Sequence, residues 1–256
     1  MRSATSTRGR GRQGLLAAAL CLFLAACVSP RPPTALAEAL PQPRSWKALL
    51  IAGDNAEPAF DNAVDIIAGK LEISGVPRAN IIVLKASGLG TQAATAANIL
   101  DDFTRLDPAA AEGCFIFITS HGAENKGLMM TSANAFLTPD DLDSLLNRSC
   151  GASPTVVIAS GCFSGIFAEG RTMPTANRMI LTAARDDRPS FGCNAKRKLT
   201  FFDQCVISNL LSGLRWQVAM DRTRGCVATN ERLLGINTSS SPQISVGAAV
   251  ADLRVF

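Results

Sequence analysis

The distribution of apolar residues predicts a series of short buried strands that alternate with amphipathic helices. Six runs of mainly Val, Ile, Leu, Phe and Ala end in small or polar residues. Apolar runs without the alternation of a half-exposed strand are typical of strands that are buried on both faces of a sheet. The predicted strands lie within residues 47–54, 80–86, 114–122, 155–162, 178–185 and 243–250.

Helical periodicity appears between these runs. Apolar residues recur three and four positions apart over 59–71, and the Gly-Val-Pro sequence at 75–77 ends the pattern. Another helix begins after Thr138, which can cap it, because a proline and two aspartates follow in the favoured first-turn positions. The remaining helices are predicted over 91–106, 200–220 and 221–234.

This order of elements predicts an α/β fold. Alternating strands and helices form a mostly parallel sheet that is covered by helices on both faces, which makes a three-layer α/β/α sandwich. Ligands of such sheets bind beyond the carboxyl ends of the strands. We therefore look for functional residues at the ends of the apolar runs.

The N-terminal segment predicts processing and membrane attachment. Residues 1–26 contain four arginines followed by an apolar run that is too short to span a bilayer, as in a secretory signal peptide. The sequence Leu-Ala-Ala before Cys27 resembles the lipobox of bacterial lipoproteins, although an ordinary signal peptide that is cut elsewhere is the alternative. A lipidated Cys27 would attach the protein to the membrane of the bacterial envelope. By resemblance to the sorting of enterobacterial lipoproteins, Val28 in place of an aspartate after the cysteine favours the outer membrane.

Three regions are therefore predicted. They are a signal peptide over 1–26, a lipidated proline-rich and alanine-rich tether over 27–45, and one domain over 46–256. The formal charge of +4 falls to about zero when the arginines of the signal peptide are removed. The basic composition therefore gives no reason to expect a nucleic-acid partner.

The ends of the third and fourth runs carry a histidine and a cysteine. His121, the single histidine of the chain, is followed by Gly122, and Cys162 follows the next run among small residues. On adjacent strands these side chains would face each other across a gap of roughly 5 Å. A thiol next to an imidazole is suited to acyl transfer, with the Gly122 and Cys162 N–H groups as oxyanion donors.

Other interpretations of the same residues are structural. A histidine beside a buried strand is commonly a satisfied polar group, and a cysteine at a strand end is commonly a structural thiol. A metal site is not expected, because one histidine without nearby Cys or His spacing does not supply three ligands. We expect no cofactor.

The sequence resembles the legumain-type (asparaginyl endopeptidase, haemoglobinase) cysteine peptidases, relatives of the caspases. The similarity lies in "FIFITSHG" with its His-Gly, "VVIASGCFSGIF" with its Cys-x-Ser-Gly, and supporting segments such as "LLIAGDN" and "ILTAARDDRPSFGC" between residues 47 and 203. Papain-like enzymes place the cysteine before the histidine, so the chain order argues against them. The resemblance implies the caspase–haemoglobinase type of α/β/α sandwich.

The resemblance also implies roles for individual residues. His121 becomes the general base and acid, Cys162 the nucleophile, and Gly122 with Cys162 the oxyanion hole. Asp54 and Asn55 lie at the same end of the sheet and are candidates to orient the histidine.

Four residues are assigned to the substrate pocket by the same resemblance. Ser160 stands where legumains carry an acid, and Ser190 and Asp203 match a serine and an acid of the pocket; an ordinary loop residue and a helix-terminal acid are the alternatives. Asp61 lies near the position of a legumain arginine that this chain lacks. Cleavage after asparagine therefore does not follow from the resemblance.

The remaining cysteines suggest disulfides in an oxidising compartment. Cys114 and Cys150 precede neighbouring predicted strands and could be bonded at the sheet edge opposite the site. Among Cys193, Cys205 and Cys226 at most one bond can form, and the sequence does not choose it.

These observations predict a lipid-anchored cysteine endopeptidase that acts on peptides or proteins. A transamidase or peptide ligase with the same residues is the second interpretation. The third is a non-catalytic lipoprotein of the same fold that binds peptides or scaffolds an envelope complex.

Overall fold

The computed structural model describes residues 38–194 and 196–256. The predicted signal peptide and Cys27 lie outside these residues, as does most of the predicted tether. Its last residues are described and contact the domain: the Leu40 N–H donates to the Ala249 carbonyl and the Arg44 N–H to the Ala111 carbonyl, each at 2.8 Å. The segment is therefore held against the domain from Leu40 onwards.

A six-stranded sheet forms the centre of the domain. Its order is β2-β1-β3-β7-β8-β9, with β9 antiparallel to β8 and the other neighbouring strands parallel. All six predicted strands are thus present, and the mostly parallel sheet is confirmed. The strands are β1 Ser45–Ala52, β2 Ile81–Lys85, β3 Glu112–Thr119, β7 Thr155–Ser160, β8 Arg178–Thr182 and β9 Gln243–Val246.

Helices cover both faces of this sheet, as the three-layer prediction requires. In β1, Leu50 packs with one helical layer, whereas Leu49 and Ile51 pack with the other. The first layer contains α1 Pro58–Ile73, α5 Phe201–Asn209 and α6 Trp216–Leu233, and the second contains α2 Ala96–Leu106, α3 Pro139–Ser149 and α4 Ile166–Glu169.

Two helix predictions are wrong in their boundaries. The second helix begins at Ala96 instead of residue 91, because the Thr95 side chain accepts the Asn98 N–H and caps it there, while residues 90–92 form a 3-10 turn. The helix predicted over 200–220 is interrupted between α5 and α6, where Gly213 has a φ of 75°. The expected break near residue 221 is absent, because α6 continues through it.

A small antiparallel sheet was not predicted. It consists of β4 Gly122–Ala123, β5 Gly127–Met130 and β6 Ala135–Leu137, and it fills the connection between β3 and α3. Strands of two to four residues are too short to produce a periodic signal in the sequence. This sheet matters because β4 starts directly after His121.

The described cysteines form two disulfides. Cys114 bonds to Cys150 near the amino ends of the parallel strands, which confirms the expected position opposite the site. Cys205 bonds to Cys226 and joins α5 to α6, and Cys162 and Cys193 are free thiols. Within the described ranges, no helix is long and apolar enough to cross a bilayer, and no group of three His, Cys, Asp or Glu side chains could hold a metal ion.

Candidate active site

The two predicted catalytic residues emerge side by side from the carboxyl edge of the sheet. Thr119 at the end of β3 pairs with Ser160 at the end of β7, and the Ser120 N–H extends the ladder by donating to the Ser160 carbonyl at 3.0 Å. His121 and Cys162 each follow two residues after the paired positions. The expectation that they end adjacent strands in equivalent places is confirmed.

Gly122 brings the two turns into direct contact. A Cβ atom placed on Gly122 would lie 1.9 Å from the carbonyl oxygen of Cys162, so a side chain at this position is sterically excluded. The His-Gly pair thus needs its glycine for the approach of one turn to the other. Within residues 38–194 and 196–256, the Cys162 N–H donates no hydrogen bond, which leaves this predicted oxyanion donor available.

The loop after β8 fixes the position of the thiol. The Ser190 N–H lies 3.3 Å from the Cys162 Sγ, and the Sγ in turn lies 3.5 Å from the Ser190 carbonyl oxygen and 3.8 Å from its hydroxyl. Cys162 is half-buried and is a free thiol. Ser190, predicted as a pocket residue, is therefore a direct neighbour of the sulfur.

The Ser-Gly half of the Cys-x-Ser-Gly motif joins the ends of β7 and β8. The buried Ser164 hydroxyl accepts the N–H groups of Ala183 and Ala184 at 3.1 and 3.2 Å. A Cβ on Gly165 would lie 2.2 Å from the Asp186 nitrogen. Sequence reasoning gave no role to these two residues, although the motif itself was the available signal.

Phe163, directly after the candidate nucleophile, has a left-handed backbone with a φ of 58°. This conformation costs a residue with a side chain about 1–2 kcal/mol. Its N–H donates to the Arg188 carbonyl at 2.8 Å, so the loop after β8 stabilises the turn. Strained backbone at such a turn is typical of functional sites.

His121 is held from two sides. Its ring lies edge-to-face against the buried Phe60 ring of α1, with 5.2 Å between the centroids. Its carbonyl accepts the Met129 N–H at 2.8 Å, and the neighbouring Ser120 hydroxyl donates to the Met129 carbonyl at 2.6 Å. The small sheet and α1 together therefore position the imidazole.

Asp54 has a different role from the one expected. Its Oδ1 accepts the Ala56 N–H at 2.7 Å and closes the turn before α1. Asn55 is exposed. The described contacts connect neither side chain to His121.

Asp203 lies in the first turn of α5, next to the end of β3. The Thr119 hydroxyl donates to its Oδ2 at 2.9 Å, and its own N–H donates to the capping Thr200 hydroxyl at 3.0 Å. Burial raises the pKa of the completely buried Asp203 carboxyl, and the hydroxyls of Ser160, Thr119 and Thr200 oppose that shift. The structure thus brings together the predicted pocket residues Ser160 and Asp203.

Asp61 lies on a different side of the site. It is in the first turn of α1, and the Ser87 hydroxyl in the loop after β2 donates to its Oδ2. Its Oδ1 is buried without a hydrogen-bond partner. Asp61 therefore belongs to the edge near β1 and β2, whereas Ser160, Ser190 and Asp203 surround the turn after β7.

The sequence around this site is similar to that of a known protein family. Residues 105–223 match the Peptidase C13 family, the legumain family, and this segment contains His121, Cys162, Ser190 and Asp203. The C13 segment begins after α1 and therefore does not include Asp61.

The fold of the described chain is that of the caspases. The crystal structure of caspase-1 from Spodoptera frugiperda superimposes with a TM-score of 0.59 at 11% sequence identity, covering 80% of this chain and 87% of the caspase chain. At this identity the likeness shows the fold alone. No curated protein matches the chain in sequence. Family and fold together indicate a cysteine peptidase type of protein.

Proposed function

We propose that the protein is a cysteine endopeptidase in which Cys162 is the nucleophile and His121 the general base and acid. The observation that carries the proposal is the contact between the two turns at Gly122, because it joins the only described histidine to a free, half-buried thiol. The match of residues 105–223 to the Peptidase C13 family supports it.

Each of these groups has one role in the proposed reaction. The Cys162 sulfur attacks the carbonyl carbon of a peptide bond, and His121 receives the thiol proton. The N–H groups of Cys162 and Gly122 stabilise the resulting oxyanion. His121 then protonates the leaving amine, and a water molecule hydrolyses the thioester with His121 as base. An amine in place of water would give ligation by the same route.

Covalent labelling tests the nucleophile. The full chain is treated with a peptidyl acyloxymethyl ketone, and the modified residue is located by peptide mass spectrometry. We expect labelling of Cys162, none in Cys162→Ala, and a decrease of about a hundredfold or more in the labelling rate of His121→Ala.

Cys193→Ser is the matched control, because Cys193 is the other free thiol of the described chain. We expect its labelling rate to equal that of the wild type. Modification of Cys193 in place of Cys162, or a rate that does not depend on His121, would refute the proposed mechanism. Peptide digestion with and without an added amine distinguishes hydrolysis from transfer.

We also propose that Cys27 carries the lipid that attaches the protein to the bacterial envelope, with the outer membrane as its location. The lipobox-like sequence before Cys27 supports this. We expect the wild-type protein to enter the detergent phase in phase partitioning and Cys27→Ala to remain in the aqueous phase. Equal partitioning of both would exclude the anchor.

A further inference from the structure

We propose that Glu231, a buried residue of α6, positions the Cys162 thiol for the reaction by fixing the loop after β8. This role rests on the proposed endopeptidase function. Glu231 lies outside the segment that matches the Peptidase C13 family, which ends at residue 223. Hydrogen bonds connect it to the thiol in two steps, first to residues 239 and 240 and from there to the loop after β8.

The Glu231 carboxylate is buried, and the segment before β9 supplies its hydrogen-bond donors. Only 2% of Glu231 is exposed. Its Oε2 accepts the Ser239 hydroxyl at 2.8 Å, and its Oε1 accepts the Ser240 N–H at 2.9 Å together with the Ser240 hydroxyl. None of the ion pairs among the described residues includes Glu231. Two adjacent serines therefore compensate the loss of water around the carboxylate.

These bonds fix the segment before β9 against α6. A buried carboxylate is strongly destabilised when a donor is lost, so its hydrogen bonds resist separation. Buried networks in which every member is satisfied are rigid and define one arrangement. Arg224 of α6 holds the same segment, because its Nε donates to the Pro242 carbonyl at 2.9 Å. Residues 239–242 are thus attached to α6 at two places.

The two serines hold the loop after β8 through their carbonyl groups. The Arg185 N–H donates to the Ser240 carbonyl at 2.9 Å, and the Arg188 Nη1 donates to the Ser239 carbonyl at 3.4 Å. The Arg188 N–H also donates to the Arg185 carbonyl at 3.2 Å, so both attachments belong to one turn of the loop. The serines therefore transmit the position of the Glu231 carboxylate to this turn.

The same loop contacts the candidate nucleophile. The Arg188 carbonyl accepts the N–H of Phe163, the left-handed residue directly after Cys162, at 2.8 Å. Two residues beyond Arg188, the Ser190 N–H lies 3.3 Å from the Cys162 Sγ. Both the backbone after the nucleophile and its sulfur therefore depend on where the loop lies. Hydrogen bonds join this loop to Glu231 as well.

Ser164 attaches the loop at a different place. Its hydroxyl accepts the N–H groups of the first two residues of the loop, next to the end of β8. The attachments at Arg185 and Arg188 lie further along the chain and closer to Ser190. The part of the loop that reaches the sulfur is therefore held by the Glu231 network.

Glu231→Gln weakens this network while it keeps the size of the side chain. The variant removes the charge, and hydrogen bonds to an ionised acceptor are about twice as strong as neutral ones. We expect kcat for a peptide that the wild type cleaves to fall by about tenfold or more, because a misplacement of about 1 Å costs up to about a hundredfold. KM should change less than kcat, since the displaced group is the thiol. The full chain is assayed at a temperature at which circular dichroism shows it to be folded.

Ser240→Ala weakens the same network from its other partner. It removes one hydroxyl bond to Glu231 and leaves the N–H and carbonyl bonds of residue 240 in place. We expect kcat to fall by about fivefold, as for the loss of one hydrogen bond. This milder variant also decides the role of the network if Glu231→Gln does not fold.

Asp102→Asn is the matched control for the loss of a buried carboxylate. Asp102 lies in α2 with 3% of its surface exposed, and it pairs with Arg105 of the same helix at 2.7 Å. The variant should leave kcat and KM unchanged, whatever its effect on the unfolding temperature. A loss of activity that merely follows stability would appear here as well.

Hydrogen exchange measures the same connection without a substrate. In Glu231→Gln, the amide hydrogens of Phe163 and of residues 185–190 should exchange about fivefold faster or more, because the loop opens more easily. Peptide mass spectrometry of the full chain locates the change. Asp102→Asn should exchange like the wild type in these residues.

The results distinguish this role from the proposed function. If the ketone probe labels Cys162 of the wild type, but both network variants keep the wild-type kcat, the role of Glu231 is overturned and the nucleophile assignment stands. The same holds if the exchange of the loop does not change, or if Asp102→Asn loses as much activity as Glu231→Gln. If the wild type is neither labelled nor active on peptides, the proposed function fails, and the role of Glu231 in the reaction fails with it.

Discussion

At the scale of single residues, the candidate site depends on a contact that only glycine permits. Gly122 lies so close to the Cys162 carbonyl that a Cβ atom would overlap it. The backbone of the histidine turn would have to move away from the cysteine turn to accept any side chain. Displacements of this size separate reacting groups and slow catalysis strongly.

Gly122→Ala should therefore reduce kcat/KM by about a hundredfold, since a misplacement of about 1 Å costs that much in comparable sites. The measurement is the rate of hydrolysis of a peptide that the wild-type protein cleaves. Gly69→Ala is the control, because a Cβ at Gly69, in the middle of α1, meets no atom within 4 Å. The control should keep full activity and gain about 0.5–1 kcal/mol of stability. Equal activity of both variants would contradict the role of the Gly122 contact.

At the scale of secondary-structure elements, the Ser164 hydroxyl links the turn after β7 to the end of β8. Ser164 accepts two N–H groups, but the Ala183 N–H also donates to the Ala159 carbonyl at 3.1 Å. The Ala184 N–H is therefore the group that depends on Ser164. The loop after β8 then continues to Ser190 and the sulfur of Cys162.

Ser164→Ala should lower the free energy of unfolding by about 1–3 kcal/mol, because it leaves a buried N–H unpaired. It should also lower kcat/KM, since the loop that positions the thiol loses an attachment. Denaturant unfolding and peptide hydrolysis measure the two effects. Ser208→Ala removes a hydroxyl from the exposed surface of α5 and should change neither quantity by a measurable amount. If Ser164→Ala changed neither the free energy of unfolding nor kcat/KM, the motif serine would not support the turn.

At the scale of the whole domain, two disulfides close chain segments that do not contain Cys162, the candidate nucleophile. Cys114–Cys150 closes 36 residues near the amino ends of the strands, and Cys205–Cys226 closes 21 residues between α5 and α6. Two free thiols remain beside them, and one is the candidate nucleophile. Such a mixture fits an oxidising compartment, where structural bonds form.

Alkylation of the unfolded but unreduced chain should accordingly modify Cys162 and Cys193 and spare the four bonded cysteines. Peptide mass spectrometry reads out the pattern. Replacing Cys205 and Cys226 together by serine should lower the stability by about 3 kcal/mol, as expected for a loop of this length. Alkylation of all six thiols without reductant would contradict the two bonds.

The sequence alone predicted the sheet and the edge of the sheet that carries the candidate site. Continuous apolar runs predicted six strands, and the ends of two of them carried His121 and Cys162, because burial on both faces leaves a strong local pattern. The capping sequence at Thr138 also fixed the start of α3, since a cap is a local interaction. Each of these features depends only on residues that are close to one another in the sequence.

The tertiary structure decided everything that depends on contacts between distant segments. The short strands β4–β6 pair only with each other. At the break between α5 and α6, the N–H groups of Gly213 and Trp216 donate to the carbonyl groups of Val255 and Leu253, which are distant in the sequence. The partner of Cys205, the approach of Gly122 to Cys162, and the unpaired oxygens of Glu57, Asp61 and Asp203 are likewise absent from any local pattern. Local periodicity reports which face of an element is buried, whereas the identity of the atoms that meet there is set by how the elements pack.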